Sequence, residues 1–377
     1  MAIFLSLYFA IYGGMNAYFY WKVRMAFRLG PVASSLLAVV LVGMVLLPFL
    51  IRRLEHQHAL DLARVAGWIG FSWMAIALWF FTVGLLFDLG NGLCLLLHQA
   101  FGLPAVHLSP FAASVLNLAL TAVLLVVGLV GNRQIAIRPV TVNVPADAHP
   151  PNPLRILLIS DVHLGLLSTD LYLGDIERAV AETRPDLILS AGDLFEGRGD
   201  LMPEVAARLA RLEAPLGKFA VLGNHEFYAG LDTSIRFHQS AGFTLLRGQT
   251  RTLEIKGWSL VIAGIDFPAE GAWGRHAEVN DRLTEPRRPN VYQILLKHLS
   301  VPSDQLASHY DLQLSGHTHG GQIIPFNAAV RGLYPYLQGL YAMAGGRAQL
   351  YVNPGTGSWG PPIRLGPRRE ITLLILE

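Results

Sequence analysis

Four apolar stretches fill the first third of the chain and restrict its architecture more than any other feature. They cover residues 2–20, 31–51, 65–87 and 110–131, and between Met1 and Gly131 only nine side chains are Asp, Glu, Lys or Arg. Each stretch is close to the ~20 residues a helix needs to cross a hydrocarbon layer ~30 Å thick. One such segment alone can be a buried helix of a soluble core. Four in succession leave no soluble partner to cover them. Residues 1–132 are therefore read as a multi-span α-helical membrane domain of about four helices.

Finer features of this region follow from the same logic. The first stretch has no basic start and no small-residue cleavage site, so it is read as a retained span. Tyr20, Trp21, Trp68 and Trp73 fall near span ends, where amphipathic rings favour the membrane interface. Residues 89–107 are interrupted by Asn91, His98, Gln99 and Pro104 and are expected to form a loop or re-entrant piece. Asp88 is read as lying near a span end, which gives little support to transport across the bilayer. With four spans, Arg52, Arg53, Arg64, Arg133 and Arg138 outnumber Lys22, Arg24 and Arg28 on the opposite side, so the positive-inside rule favours a cytoplasmic carboxyl-terminal domain, and a fifth span in residues 89–107 would reverse this. The one cysteine, Cys94, excludes an intramolecular disulfide framework. A sequence pI of about 8.7, spread over such a chain, makes no case for nucleic acid.

After Gly131 the pattern changes. "QIAIRPVTVNVP" alternates in the manner of an edge strand, and "ADAHPPNP" is a Pro-rich break. "LRILLIS", "DLILSAG", "KFAVLGN", "SLVIAGID" and "YDLQLSG" are short apolar runs that end in Gly, Ser, Asp or Asn. Such runs read as buried strands with polar loops at their carboxyl ends. "TDLYLGDIERAVAETRP" and "PEVAARLARLEAP" are amphipathic helices between them. Residues 133–377 are thus expected to form a layered α/β domain.

The polar residues at those strand ends carry the chemistry. "LLISDVHLG" supplies Asp161 and His163, "LSAGDLFEG" supplies Asp193, and "VLGNHEF" supplies Asn224, His225 and Glu226. "LLKHLS" supplies His298, and "LSGHTHGG" supplies His317 and His319. Each alone is explained as a turn or cap residue. Five such coincidences in separate strands are not. Carboxylate, imidazole and amide oxygen together suit a divalent ion such as Mn²⁺, Fe²⁺ or Zn²⁺. The absence of thiolate disfavours a structural zinc cage. Asp-x-His and His-x-His spacings put both side chains on one side of an extended backbone. His238 and His276, outside every motif, are read as surface or loop residues.

These motifs, Asp-x-His, Gly-Asp, Gly-Asn-His-Glu, a lone His and Gly-His-Thr-His, resemble the calcineurin-like metallophosphoesterase superfamily over about residues 133–377. The tail "YVNPGTGSWGPPIRLGPRREITLLIL" and the Gly-Gly-Gln after His319 are similar to a membrane-anchored bacterial branch of it. The resemblance implies a four-layer α-β-β-α fold with two divalent metal ions at the strand ends. It places Asp161, His163 and His319 on one ion and Asn224, His298 and His317 on the second, with Asp193 bridging. His225 is implied to contact the phosphate and protonate the leaving oxygen. Glu226 is read as orienting His225, or else as making a structural hydrogen bond. The lone-His motif departs from His-x-Pro, reading His298-Leu-Ser-Val-Pro302, and His298 is preferred to His309 because it precedes the last strand.

The implied partners are a phosphate ester, free or carried on a lipid, and a bacterial inner or plasma membrane. "PFNAAVRGLYPYLQGLYAM", apolar and Tyr-rich with Arg331, is read either as an interface contact or as a connection packed on the sheet. Arg275, Arg282, Arg287 and Arg288 are candidates to hold an anionic substrate. The rival class, a catalytically silent membrane sensor with a phosphoesterase-like domain, has no need to retain every ligand together with His225.

Overall fold

The computed structural model describes residues 2–104, 107–197, 202–267, 288–302, 309–343 and 348–377. Arg275, Arg282, Arg287 and His276 lie outside the described residues. Two compact units are present: Met1–Val130 with Gly360–Ile363, and Gly131–Trp359 with Arg364–Glu377.

The first unit is built from four helices, α1 (Ala2–Phe27), α2 (Pro31–His56), α3 (Leu60–Phe101) and α4 (Pro110–Arg133). The last three are long and apolar enough to cross a membrane. Pro31 and Pro110 begin their helices, where the missing N–H costs nothing, and Ser109 Oγ accepts from Ala112 N at 3.2 Å. Only 17% of the most apolar α2 window is buried. Its outward surface therefore calls for an apolar solvent, and lipid is the one that suits helices of this length. Phe19, Leu41 and Phe80 pack at the centre of the bundle, and Gly70 lets α3 approach Leu47 and Ile51.

Two expectations fail here. Residues 89–101 are not a loop but continue α3, which reaches 42 residues, roughly 63 Å at 1.5 Å per residue. The polar residues that suggested a break are accommodated: Asn91 Oδ1 accepts from Leu108 N and His98 Nδ1 pairs with Leu103 O. The helix stops only at Gly102, in the left-handed conformation, just before Pro104. Asp88 is accordingly inside a helix rather than at its end, ion-paired with Lys22 and accepting from Tyr18 Oη at 2.7 Å. That pairing neutralises the acid within the bundle.

The second unit contains two six-stranded sheets. The first holds β1 (Ile135–Val142), β12 (Arg369–Leu376), β2 (Leu154–Ile159), β3 (Leu187–Ser190), β4 (Lys218–Ala220) and β5 (Thr244–Leu245), in that order. The second runs β10 (Gly339–Ala342), β11 (Gln349–Val352), β9 (Leu312–Ser315), β8 (Val291–Lys297), β7 (Trp258–Ile265) and β6 (Gln249–Ile255). β1 is the edge strand expected, paired only with β12, which is where Pro139 is tolerated.

Alternation of side chains explains the continuous apolar runs. Ile156 and Leu158 face Leu260, Ile294 and Leu314 between the sheets, while Leu157 and Ile159 face the helices on the outer side. Those helices are α5 (Thr169–Thr183), α6 (Pro203–Ala210) and α8 (Leu231–Ser240), with the short α7 (Asn224–Ala229) leading into α8. Tyr172, Leu173, Ile176, Ala179 and Val180 give α5 one buried face. The outer face of the second sheet packs Ala263, Leu295 and Leu350 against Tyr310, Met343 and Tyr341. α9 (Phe326–Leu333) follows β9 and contains no buried residue. His238 is not on the surface: it is fully buried in α8 among Phe195, Phe237 and Phe243.

Candidate metal centre

The site gathers at one end of the strands, as layered α/β folds direct. Asp161 and His163 follow β2, Asp193 follows β3, and Asn224 opens α7 after β4. His298 follows β8, and His317 and His319 follow β9. Six of the seven expected ligand residues, and His225, fall in donor groups that share members, and Asn224 lies in the chain directly before His225. The way the backbone delivers them differs from expectation. Asp161, His163, Asp193, His317 and His319 have φ of 51°, 50°, 51°, 72° and 50°, left-handed rather than extended. For a non-glycine residue this conformation costs about 1–2 kcal/mol, and five instances in one cluster mark a site where geometry outweighs local stability. Gly223 and Gly316 permit the close approach: a Cβ would overlap the Asp193 carboxylate at one and Ser160 with Asp161 at the other.

Three groups of donors can each hold a cation: Asp161, His163 and His319; His163, Asp193 and His225; and Asp193, His298 and His317. They share members and form one continuous row. His319 Nε2 is 3.4 Å from Asp161 Oδ1 and 3.1 Å from His163 Nε2. Asp193 Oδ2 is 3.9 Å from His163 Nε2 and 3.2 Å from His298 Nε2, which is 3.2 Å from His317 Nδ1. Donors bound to one cation at about 2.0–2.2 Å stand roughly 3.0–3.6 Å apart, a range that all these spacings meet except the 3.9 Å between Asp193 and His163. Asn224 Oδ1 is buried without a hydrogen-bond partner, an orphaned oxygen that a cation would satisfy.

The electrostatics couple the donors to one another, and a cation would have to displace the proton held by His298. Burial pushes Asp161 up, towards neutrality. Burial opposes ionisation of Asp193 as well, but the charges of His298 and His225 hold it well below the usual carboxylate range. Burial likewise disfavours charged His298, yet Asp193 beside it lifts that imidazole to about 10. Desolvation keeps His317 neutral, pushed down to about 3, which is the state a metal ligand requires.

The surrounding residues assign supporting roles, some of them not anticipated. Glu226 does not orient His225. Its carboxylate accepts from the backbone N–H groups of Asp193 (3.0 Å), Leu194 (2.7 Å) and Gly223 (2.8 Å), with Phe195 at 3.4 Å, which pins the Asp193 turn. The carboxylate near His225 is Glu196, 3.6 Å from His225 Nδ1 and 3.4 Å from His163 Nδ1. Its signal in the sequence was its place three residues after Asp193, in "GDLFEG". His298 Nδ1 is 2.8 Å from Ala191 O, and His317 Nε2 is 3.0 Å from Tyr334 Oη. Arg364, buried, reaches His319 Nδ1 at 3.4 Å and Gly357 O at 2.7 Å. Gln322 exchanges hydrogen bonds with the backbone of Trp359, whose ring lies 6.0 Å from that of His225. His309 belongs to none of the donor groups among the described residues.

Comparison with known proteins agrees with this geometry. Residues 154–321 match the calcineurin-like phosphoesterase family. An uncharacterized metallophosphoesterase of Aquifex aeolicus is 34% identical over 59% of this chain and 85% of its own length. A transmembrane protein with metallophosphoesterase domain from Bos taurus is also 34% identical, over 70% of this chain, which spans 62% of the bovine protein. The NAD nucleotidase of Haemophilus influenzae aligns over 60% of this chain and 51% of its own, at 16% identity and a TM-score of 0.37, too distant a likeness to bear on the site.

Proposed function

The chain belongs to the calcineurin-like metallophosphoesterase family, and on that premise we propose that its second unit hydrolyses phosphate esters with two divalent ions. Asp161, His163 and His319 would hold one ion and Asn224, His298 and His317 the other, with Asp193 shared between them. The observation that carries this reading is Asp193 Oδ2, which faces His163 on one side and His298 on the other. Mn²⁺, Fe²⁺ and Zn²⁺ all suit the donor set. When bound, such a pair stabilises charge on the phosphoryl oxygens and activates the attacking water.

The protein's own groups do the rest. His225, half-buried at the edge of the cluster, hydrogen-bonds the phosphoryl group and hands a proton to the leaving oxygen. Glu196 faces Nδ1 of this imidazole at 3.6 Å, and its charge favours the orientation that leaves Nε2 for the substrate. Glu226 fixes the turn that presents Asp193. We read the substrate as a phosphodiester, pyrophosphate or phosphomonoester on a lipid or lipid-linked molecule, because the enzyme travels with apolar helices. The protein is read as a multi-pass component of a bacterial inner membrane with the catalytic unit in the cytoplasm.

The test is turnover of bis(4-nitrophenyl) phosphate by the purified full-length protein with added Mn²⁺. Hydrolysis that disappears in Asp193→Asn supports the reading. No turnover with any divalent ion overturns it in favour of a silent membrane protein.

A further inference from the structure

From Gly131 onward, every exposed large hydrophobic among the described residues is one of six: Tyr228, Ile324, Phe326, Leu333, Leu340 and Trp359. They are not scattered. The rings of Tyr228 and Trp359 lie 5.4 Å and 6.0 Å from that of His225. The other four fall within the 21 residues after His319. Singly exposed apolar side chains are ordinary on a protein surface, but a cluster around one site is not.

α9 is the clearest part of this surface. Phe326, Val330 and Leu333 are spaced i, i+4 and i+7, so they share one helical stripe. Phe326 is 51% and Leu333 69% exposed. The helix is tied to the site at both ends. It follows His319 by seven residues, and Tyr334, the residue after Leu333, meets His317 through its hydroxyl.

Charge identifies what covers this surface. No Asp or Glu occurs between Asp311 and Glu370, a segment that contains five arginines. Two of them, Arg331 on α9 and Arg368, are exposed. An apolar stripe whose neighbours along the chain are basic and not acidic has the composition of a segment that lies in a headgroup layer, and the Glu196 carboxylate near the site's mouth is turned to His163 and His225. Connectivity supplies the bilayer: α4, long and apolar enough to span, ends at Arg133, and β1 begins at Ile135. A unit so tethered meets lipid at high effective concentration.

We propose that α9 and its apolar flank form an interfacial membrane-binding surface that seats the mouth of the metal site against the headgroups of an anionic bilayer. Phe326 and Leu333 enter the acyl boundary, and Arg331 and Arg368 contact lipid phosphates. The site then draws phosphate esters from the lipid plane. This rests on the membrane-spanning reading of the first unit and not on turnover.

The experiment places a nitroxide at Phe326→Cys or Leu333→Cys in a full-length Cys94→Ser chain, in nanodiscs of phosphatidylethanolamine and phosphatidylglycerol. Both positions are exposed, so the label displaces no packing, and the thermal transition of each labelled chain is matched to that of the unlabelled protein. Thr250→Cys on β6, at the opposite edge of the second sheet from β10, is the control. Collisions with oxygen relative to a water-soluble nickel chelate should rise about fivefold or more at both positions over the control, as for a side chain buried ~5–10 Å into the interface. The ratio should fall when phosphatidylglycerol is replaced by phosphatidylcholine. Ready collision with nickel at both positions means the stripe faces water and overturns the proposal. Protection from both reagents means a protein covers it, a second copy or another partner, and overturns it equally.

Discussion

The hydroxyl of Tyr334 stands 3.0 Å from Nε2 of His317, whose Nδ1 lies 3.2 Å from Nε2 of His298. One nitrogen of the ring is turned to the donor row and the other is held by a phenol. With Nδ1 as the ligand atom, Nε2–H donates to the Tyr334 oxygen, which fixes both tautomer and ring plane. Partners of this kind typically contribute 10–100-fold in metal affinity. Tyr334→Phe is expected to weaken binding of the ion on the His298 side by about tenfold and leave the Asp161 side intact, as read by Mn²⁺ titration. Unchanged affinity at both would assign Tyr334 to packing alone.

Glu196 lies between His163 and His225 and acts in the proposed reaction through the latter. Glu196→Gln should lower kcat with saturating Mn²⁺ by roughly 10–100-fold, the loss typical when a partner that orients a functional group is removed. The loss should be greatest for alkoxide leaving groups, which most need a proton. In a double-mutant cycle, Glu196→Gln should cost little more once His225 is Ala. Additive losses would place Glu196 on a separate task.

Glu226 satisfies backbone donors at Asp193, Leu194, Phe195 and Gly223 and is fully buried. Glu226→Ala leaves them without acceptors, at about 1–3 kcal/mol for each buried group left unpaired. Thermal unfolding of the full-length protein in detergent should show a loss of at least 3 kcal/mol in total, larger than for Glu196→Gln. A variant as stable as the parent would mean that the Asp193 turn is held by something else.

His238 gives a pH dependence away from the donor cluster. Burial pushes it from 6.5 down to about 4. Between these values the unfolded chain binds the proton and the folded chain does not, so stability falls as pH drops. The contribution is fully present above pH 6.5 and lost progressively down to pH 4, by about 3 kcal/mol. His238→Phe should flatten the profile of melting temperature between pH 4 and 7 relative to the parent. Identical profiles would show that His238 takes up its proton without unfolding the helix around it.

Much of this organisation is legible in the residues because a few local rules dominate. Apolar runs such as "LRILLIS" are continuous because β2 is buried on both faces, and polar residues collect where strands end. The strand-end motifs therefore single out Asp161, His163, Asp193, Asn224, His298, His317 and His319 as candidates, and the family resemblance implies their role as ligands. Three features were hidden for physical reasons. Asn91 and His98 look like breaks in α3, yet each finds a backbone partner and the helix continues to Phe101. Glu226 adjoins His225 in sequence, but the turn into α7 sends its carboxylate to the Asp193 backbone, leaving Glu196 to face the imidazole. The left-handed φ values at Asp161 and His317 belong to tertiary assembly, since no propensity of Asp or His demands them.

The central claim is that Asp193 joins two ions in one site, and electron paramagnetic resonance of the Mn²⁺-loaded, full-length protein tests it most directly. Two Mn²⁺ per chain, with the exchange-coupled signal of a bridged pair that collapses to isolated-ion lines in Asp193→Asn, is the expected result. A single uncoupled Mn²⁺ in the parent protein, or none, would contradict it.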